Sequence, residues 1–590
     1  MFRNKSVTSA SIVMLGFLAV SGCGSDEDDS TEGIDSVTEA ASVVTAEAST
    51  FTVVDTGLDQ CYDGDGQVDD TTGVAYITCP AVGEAFFGQD AQYGEDAELG
   101  GSGVAFNFEF ETDDGGEIKT ITSSYEVSIM FSDTTVTTEE FTWGAVVVDN
   151  NTGLMWQAVP DNGRYSYEEA QDYIDGLNDE TYQGYSDWRM PTMKELYSIA
   201  DFSVGWPYLD MDYFVLPTYA ESSCFSHDCV ADIIDFDAKD EQYWSQFYVG
   251  NTYEAGSDGA FGLNHGTGHI KVYPAAISGT MAKAVRAVRG TEDSYGVNSF
   301  TLNESDYGNT VTDSATGLMW TQDDSAATDL LAELNRLITE GVVVITDGED
   351  TTEGDVGVIG LLNWQDALAF AENADFGGYD DWRLPNIKEL QTIFDYEHAP
   401  TAGFYSEDAD TSSTESTDGS PSESGDALTW YDGCADELAE GHVAASEAEC
   451  AARGPAIDTD YFIATSINDV LAAGLAAEVM SADGELYSLY NIVTVQQGLS
   501  DYGYYWSSTS TRYGTNDADL NDNTEDNDGY RDTDYAFAWY AAVGSAVNDN
   551  GEDYHGAGAI RYDVKDEDSG AVGEDAERIF NFVRLVRDAD

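Results

Sequence analysis

The chain has 590 residues, with 113 Asp and Glu against 22 Lys and Arg, so its formal net charge is −91. Such a surface repels phosphate backbones, which are bound through Lys and Arg with counterion release, and nucleic acid is excluded as a ligand class. Hydrophobic residues make up 42% and aromatic residues 12%, too many for a disordered acidic chain. The composition describes folded domains under an acidic coat, which suits a saline medium where salt screens self-repulsion.

In chain order, residues 1–22 place Arg3 and Lys5 before an apolar run that ends in small residues, the pattern of a secretory signal peptide. Val20, Ser21, Gly22 and Cys23 resemble a bacterial lipobox, which implies lipidation of Cys23; Gly24 in place of Asp favours an outer-membrane anchor. An ordinary signal peptide with an incidental cysteine is the other reading. Residues 23–50 are acidic, rich in Ser, Thr and Ala and free of aromatics, and read as a flexible tether. From 51 to about 140 the pattern is β-rich: Phe106, Phe108 and Phe110 alternate with polar residues, DDGGE intervenes, and Tyr125, Val127, Ile129 and Phe131 alternate again, which is hairpin spacing.

The remainder is an internal duplication. GYSDWRMPTMKEL at 184–196 is matched by GYDDWRLPNIKEL at 378–390, NTGLMWQ at 151–157 by ATGLMWT at 315–321, QYWSQ at 242–246 by YYWSS at 504–508, and AVRAVRG at 284–290 by FVRLVRD at 582–588. The four landmarks keep one order and define modules at 141–290 and 298–588. Their wider spacing in the second copy places insertions near 323–358 and 399–500, the latter holding the low-complexity run TSSTESTDGSPSESGD.

Within the first copy, Ser166 and Glu169 have capping-box spacing before Ala170, Tyr173, Ile174 and Leu177, which predicts an amphipathic helix; Asn363 opens its counterpart. After Pro191 and Pro385, Thr192 with Glu195 and Asn386 with Glu389 have cap spacing again, so each repeated phrase is a turn leading into a second helix. The YWS and VRxVR landmarks read as short strands. The fold class is α+β, each module two helices with a small antiparallel sheet.

These four ordered motifs, found twice, resemble the Lcl C-terminal domain family, named for the C-terminal module of a collagen-like bacterial adhesin; the likeness covers about 143–290 and 298–588. Residues 57–93 also resemble the lead-in of marine bacterial lipoproteins of this tandem type. The resemblance implies C-type lectin-like modules, related by fold to the formylglycine-generating enzymes. Ala287 and Leu585 stand where family members often have Cys, and nothing matches the paired active-site cysteines of the enzyme relatives.

Six cysteines remain beside Cys23, in three local pairs expected to form disulfides in an oxidising compartment: Cys61 with Cys79, Cys224 with Cys229, and Cys434 with Cys450. Asp187, Trp188 and Arg189, with Asp381, Trp382 and Arg383, are read as a core tryptophan beside an ion-paired arginine that locks the turn, a ligand site being the alternative. Trp156, Trp244, Trp320 and Trp506 belong to the same framework. Asp63, Asp65 and Asp69, and Asp526, Asp528 and Asp532, share the form D-x-D-G-x-x-D, which resembles part of an EF-hand-type calcium loop. His265 and His269 flank a Gly-rich turn; a Zn²⁺ or Cu²⁺ pair is weighed there against exposed histidines, and the exposed turn is preferred.

No G-x-S-x-G elbow or P-loop occurs. The leading expectation is a surface-anchored binding or adhesion lipoprotein, not an enzyme, that recognises carbohydrate or protein with calcium assistance. The adhesin resemblance implies sulfated polysaccharide, but the charge of −91 favours neutral glycans or a protein partner. A self-assembling structural component of the envelope, a homo-oligomer, and a secreted hydrolase are the alternatives.

Overall fold

The computed structural model describes residues 51–62, 77–94, 99, 103–128, 136–204, 207–216, 242–253, 257–275, 282–290, 295–343, 360–396, 455–466, 470, 478–480, 486–488, 502–511, 537–544, 556–565 and 580–589. Residues 51–94 carry isolated bridges and a 3-10 turn at Asp90–Gln92. Regular structure then runs β1 (Phe108–Phe110), β2 (Thr120–Ser128), β3 (Val136–Gly144), β4 (Val146–Asp149), β5 (Met155–Gln157), α1 (Tyr167–Asp179), α2 (Met193–Ser198), β6 (Gln242–Tyr253), β7 (Ser257–Asn264), β8 (Ile270–Pro274) and β9 (Val288–Arg289). The second half runs β10 (Phe300–Asn303), β11 (Thr310–Asp313), β12 (Leu318–Thr321), α3 (Thr328–Glu340), α4 (Trp364–Asn373), α5 (Ile387–Thr392), β13 (Glu478–Met480), β14 (Leu486–Ser488), β15 (Tyr504–Ser510), β16 (Phe537–Ala542), β17 (Ile560–Val564) and β18 (Val586–Asp588).

The fold is mixed α+β with antiparallel sheets, and each half builds the same four-stranded sheet, β1-β4-β5-β9 in the first and β10-β11-β12-β18 in the second. Phe108 lies opposite Asp149 in one, and Phe300 opposite Asp313 in the other, so the registers correspond. The hairpin expected from the phenylalanine alternation is shifted. DDGGE does form a turn, closed by the Thr112–Ile118 bridge, but β1 ladders with β4 while β2 ladders with β3. Burial decides this: Phe108 packs edge-on against Phe214 at 5.3 Å in the first module, and a local hairpin would forgo that contact. The first insertion of the second copy holds a third helix, α3, whose Leu330, Leu334 and Leu337 are buried.

The expected caps are present. Ser166 with Glu169, Thr192 with Glu195, and Asn386 with Glu389 all form capping boxes, and Asn363 caps α4. Each supplies acceptors to amides that a helix start leaves unbonded.

The modules are not separate beads. A six-stranded sheet, β15-β16-β17-β8-β7-β6, crosses from one to the other, and its central junction pairs Ile560 with Ile270, equivalent residues of the two copies. Around this pseudo-two-fold axis the aromatic contacts are reciprocal. Trp539 of β16 meets Phe202 of the first module at 5.1 Å, and Phe261 of β7 meets Tyr396 of the second at 5.1 Å. Gly268 and Gly558, both at positive φ, lie against this seam; a Cβ at Gly268 would come within 2.7 Å of the Trp539 ring, and one at Gly558 within 2.9 Å of Tyr396. The largest buried cluster accordingly joins Trp156, Leu196 and Phe261 of the first module to Trp320, Phe394 and Trp539 of the second. Smaller private cores surround Trp188 and Trp244 in one module and Trp382 and Trp506 in the other. Among the described residues no helix is long and apolar enough to cross a membrane.

Trp539→Ala removes the largest side chain of the seam and should cost about 3–5 kcal/mol. Denaturant unfolding followed by circular dichroism measures this, with both modules melting in one transition; two transitions, or a loss under about 1 kcal/mol, would contradict a shared core.

Candidate functional site

The repeated phrase builds the same device twice. A buried tryptophan, Trp188 or Trp382, donates its indole N–H to the carbonyl of Tyr182 or Phe376 and so fixes the turn. The next residue, Arg189 or Arg383, extends along the closing strand and forks onto the glutamate of the capping box: Arg189 Nη1 and Nη2 lie 2.6 and 2.5 Å from the Glu195 carboxylate, and Arg383 lies 2.5 and 2.6 Å from Glu389. The same carboxylates accept the backbone N–H of Thr192 and Asn386. One acidic group therefore starts the helix, neutralises the arginine and ties it to the turn.

The arginine partner is this glutamate and not the neighbouring aspartate. Asp187 and Asp381 are exposed, and each receives a second fork from the last arginine of the module, Arg289 at 2.8 and 3.0 Å and Arg587 at 2.6 and 3.0 Å. Those guanidinium groups hold both aspartates below the usual carboxylate range. They also stack over Tyr185 and Tyr379 at 3.8 and 4.1 Å. The first arginine of each VRxVR is fully buried. Arg286 donates to the carbonyls of Gln157, Ala158 and Val215, and Arg584 to those of Thr321, Gln322 and Ile463.

The six framework tryptophans, Trp156, Trp188, Trp244, Trp320, Trp382 and Trp506, are all buried to 2% exposure or less, which places the repeated motif in the scaffold. Arg286, Arg584, Arg289 and Arg587 were not singled out from sequence, although VRxVR was. Two further repeats also went unread: DMDYF at 210–214 with DTDYF at 458–462, and HGTGHI at 265–270 with HGAGAI at 555–560. Phe214 and Phe462, each beside the carbonyl its arginine reaches, lie 5.2 and 5.1 Å from the Arg286 and Arg584 guanidinium groups.

The lysines of the twin phrase, also missed, lie at the seam. Lys388 Nζ donates to the carbonyls of Asp55 and Ser198 at 3.1 and 3.0 Å and sits 4.3 Å over the Phe106 ring. Lys194 Nζ donates to Gly296 O at 3.1 Å and Asn298 Oδ1 at 2.6 Å. Each lysine reaches the segment that leads into the other module. Burial pushes them down, Lys194 to about 8 and Lys388 to about 7, opposed for Lys388 by the charges of Asp201, Asp55, Asp149 and Asp90. Asp90 goes the other way. Its burial, with the charge of Asp55, pushes it up to about 8, against the hydroxyls of Thr509 and Thr56 that donate to it. Both lysines, with Phe51, Tyr197, Tyr295 and Gln391, line a cavity with room for a single water-sized guest.

Cys61 and Cys79 are joined, their Cα atoms 5.1 Å apart. Cys23, Cys224, Cys229, Cys434 and Cys450 lie outside the described residues, as do the calcium-loop aspartates Asp63, Asp65, Asp69, Asp526, Asp528 and Asp532. The histidines of the Gly-rich turn are buried, not exposed, because the turn is pressed into the seam. His265 packs edge-on against Tyr243 at 5.2 Å, and His269 lies 5.8 Å from Trp539. Burial, with the nearby Arg286 charge, holds His265 well below its ordinary value and keeps it neutral.

Two copies of one α+β module, each closed by a helix-entry fork and a buried VRxVR arginine, make this a tandem-repeat protein. The Lcl C-terminal domain matches residues 145–289 and 309–561, more than half of the chain, and the chain belongs to that family. The second match ends at Arg561, inside β17, and so leaves out β18. No curated protein and no solved structure matches the chain.

The two glutamates are equally buried, but Arg383 has a side-chain exposure of 6% and Arg189 one of 16%, so water reaches the Arg189 pair more readily. Arg383→Ala should cost about 3–5 kcal/mol, and Arg189→Ala less; thermal melts of the two variants check the order. For Asp90, the folded state keeps a proton that the unfolded state gives up above about 4, so stability falls as pH rises from about 4 towards 8. Asp90→Asn should flatten that slope in unfolding curves measured across this window.

Proposed function

We propose that the chain is a surface-anchored binding or adhesion lipoprotein, held at the outer membrane through lipidated Cys23, whose lectin-like modules present loops to a neutral polysaccharide or a protein. The observation that carries this reading is the fate of the repeated charges. In both copies the motif arginines and glutamates are used up against each other and against backbone carbonyls, while the two copies differ most in the segments inserted between landmarks. A fixed frame with variable rims is the construction of a binding module, since binding residues concentrate on loops positioned by a rigid scaffold. The role is non-catalytic, and Asp63, Asp65, Asp69, Asp526, Asp528 and Asp532 would supply the hard oxygen ligands for calcium. A glycan array probed with the protein in calcium and again in chelator should show calcium-dependent hits on uncharged glycans; an array without hits removes the carbohydrate reading.

A structural role in a self-packing assembly is supported by one separate observation, the continuous sheet through which one module already packs on its sibling. Light scattering on the purified protein distinguishes the two. A ligand-free oligomer favours assembly, and a monomer favours binding.

A further inference from the structure

The contact of Lys194 with Asn298 sets an amine against a side-chain amide, a chemistry that its hydrogen bonding at the seam does not use. Lys194 Nζ lies 2.6 Å from Asn298 Oδ1, and since a C=O bond is about 1.2 Å long the amine is within about 3.8 Å of the amide carbon. On the far side, Asn298 Nδ2 donates to Asp313 Oδ2 at 2.8 Å. Asp313 is fully buried and fixed by Thr316 Oγ1 on the same oxygen and by the N–H groups of Ser299 and Ala315 on the other. The lysine is held at its base and at its tip. Gly296, at φ +85°, packs so tightly that a Cβ there would lie 3.0 Å from Lys194 Cβ, and its carbonyl takes the second N–H of the amine. The Phe51 ring, 5.4 Å from Nζ, and Tyr295 wall the cavity in which the amine sits.

We propose that Lys194 and Asn298 join in an intramolecular amide cross-link, with Asp313 assisting. A neutral amine can keep one N–H on Gly296 O while rotation about the Cε–Nζ bond turns its lone pair, in place of the second N–H, towards the Asn298 amide. Burial lowers Lys194 to about 8, so the neutral form is accessible near neutral pH. The Nζ lone pair attacks Asn298 Cγ and forms the new C–N bond. The Asp313 carboxylate takes the proton that Nζ gives up and passes it to Nδ2, and the Cγ–Nδ2 bond breaks to release ammonia. The balance is one lysine amine and one primary amide giving one secondary amide and one ammonia, with no oxidant or co-reactant. Held groups at this separation convert a slow amide exchange into an intramolecular one. The link would join α2 of the first module to the segment leading into the second, across 104 positions of sequence.

The second copy of the motif is a built-in control. By the shared register, Asn298 corresponds to Phe106 and Asp313 to Asp149, so Lys388 faces an aromatic ring at the place where Lys194 faces a side-chain amide.

The test is mass spectrometry of a tryptic digest of the full chain after denaturation. The expected result is no cleavage at Lys194 and a branched peptide holding Lys194 and Asn298, lighter by one ammonia than its two parts. Lys194→Arg and Asn298→Ala abolish it, Asp313→Ala abolishes or slows it, and Lys388→Arg leaves it intact. Linear peptides in the unmodified protein, with Lys194 cleaved and Asn298 unchanged, overturn the proposal whether or not the variants fold. Ammonia loss confined to the linear Asn298–Ser299 peptide does so too, since that marks ring closure at the asparagine alone.

Discussion

A carboxylate that serves three donors at once holds each module together. Glu195 and Glu389 lie at the third position of a one-and-a-half-turn helix, too short to be stable on its own propensity. What makes the helix form is that its glutamate accepts the cap N–H and both prongs of an arginine sent from the preceding strand. The arginine in turn lies in the β-bridge to the closing strand, Arg189 with Val288 and Arg383 with Val586, so the fork joins helix, turn and sheet. Desolvating two charges is costly, and the bidentate geometry, with the cap N–H on the same carboxylate, offsets part of that cost. That geometry explains why Trp, Arg, Pro and Glu recur together.

The seam obeys a different logic. The fork is internal to a module, whereas the lysine two residues after the Thr192 or Asn386 cap faces outward from it, and only the sibling module gives it something to bond. Lys388 takes the backbone of the chain that leads into module one, and Lys194 the backbone and Asn298 of the chain that leads into module two. The repeated phrase thus supplies two reciprocal clamps, one from each module. The copies differ where the clamps end, with Phe106 on one side and Asn298 on the other, so that only Lys194 meets a side-chain amide there.

Local features were legible in the sequence because they depend on residues a few positions apart. Ser166 with Glu169, Asn363, Thr192 with Glu195, and Asn386 with Glu389 cap helices where their spacing places them. The Cys61–Cys79 link is likewise short in sequence. The features that escaped are those decided by distant partners. Phe108 alternates as a hairpin strand would, yet its ladder partner is chosen by Phe214 in the core. HGTGH has the composition of a solvent turn, and only the approach of Trp539 and Tyr208 to Gly268 makes it interior. The union of the modules rests on β8 meeting β17, a contact across nearly 300 residues that no local period encodes.

The use of cations also bears on what the surface can bind. Lys and Arg are almost never fully buried unless paired, yet Lys283, Arg286, Arg383, Lys388, Lys565, Arg584 and Arg587 are buried here, from a total of 22. These positive charges are committed to carbonyls, carboxylates and aromatic faces inside the fold; Lys565, for example, sits 4.2 Å over Trp364. Internalising cations in a chain with 113 acids leaves the outer surface more one-sidedly negative than composition alone implies. An anionic partner meeting such a surface gains no counterion release and faces repulsion over the screening length. A partner that such a surface admits would be uncharged or basic, or an anion carried in by a divalent cation, and the same one-sided charge opposes self-association except where salt is high.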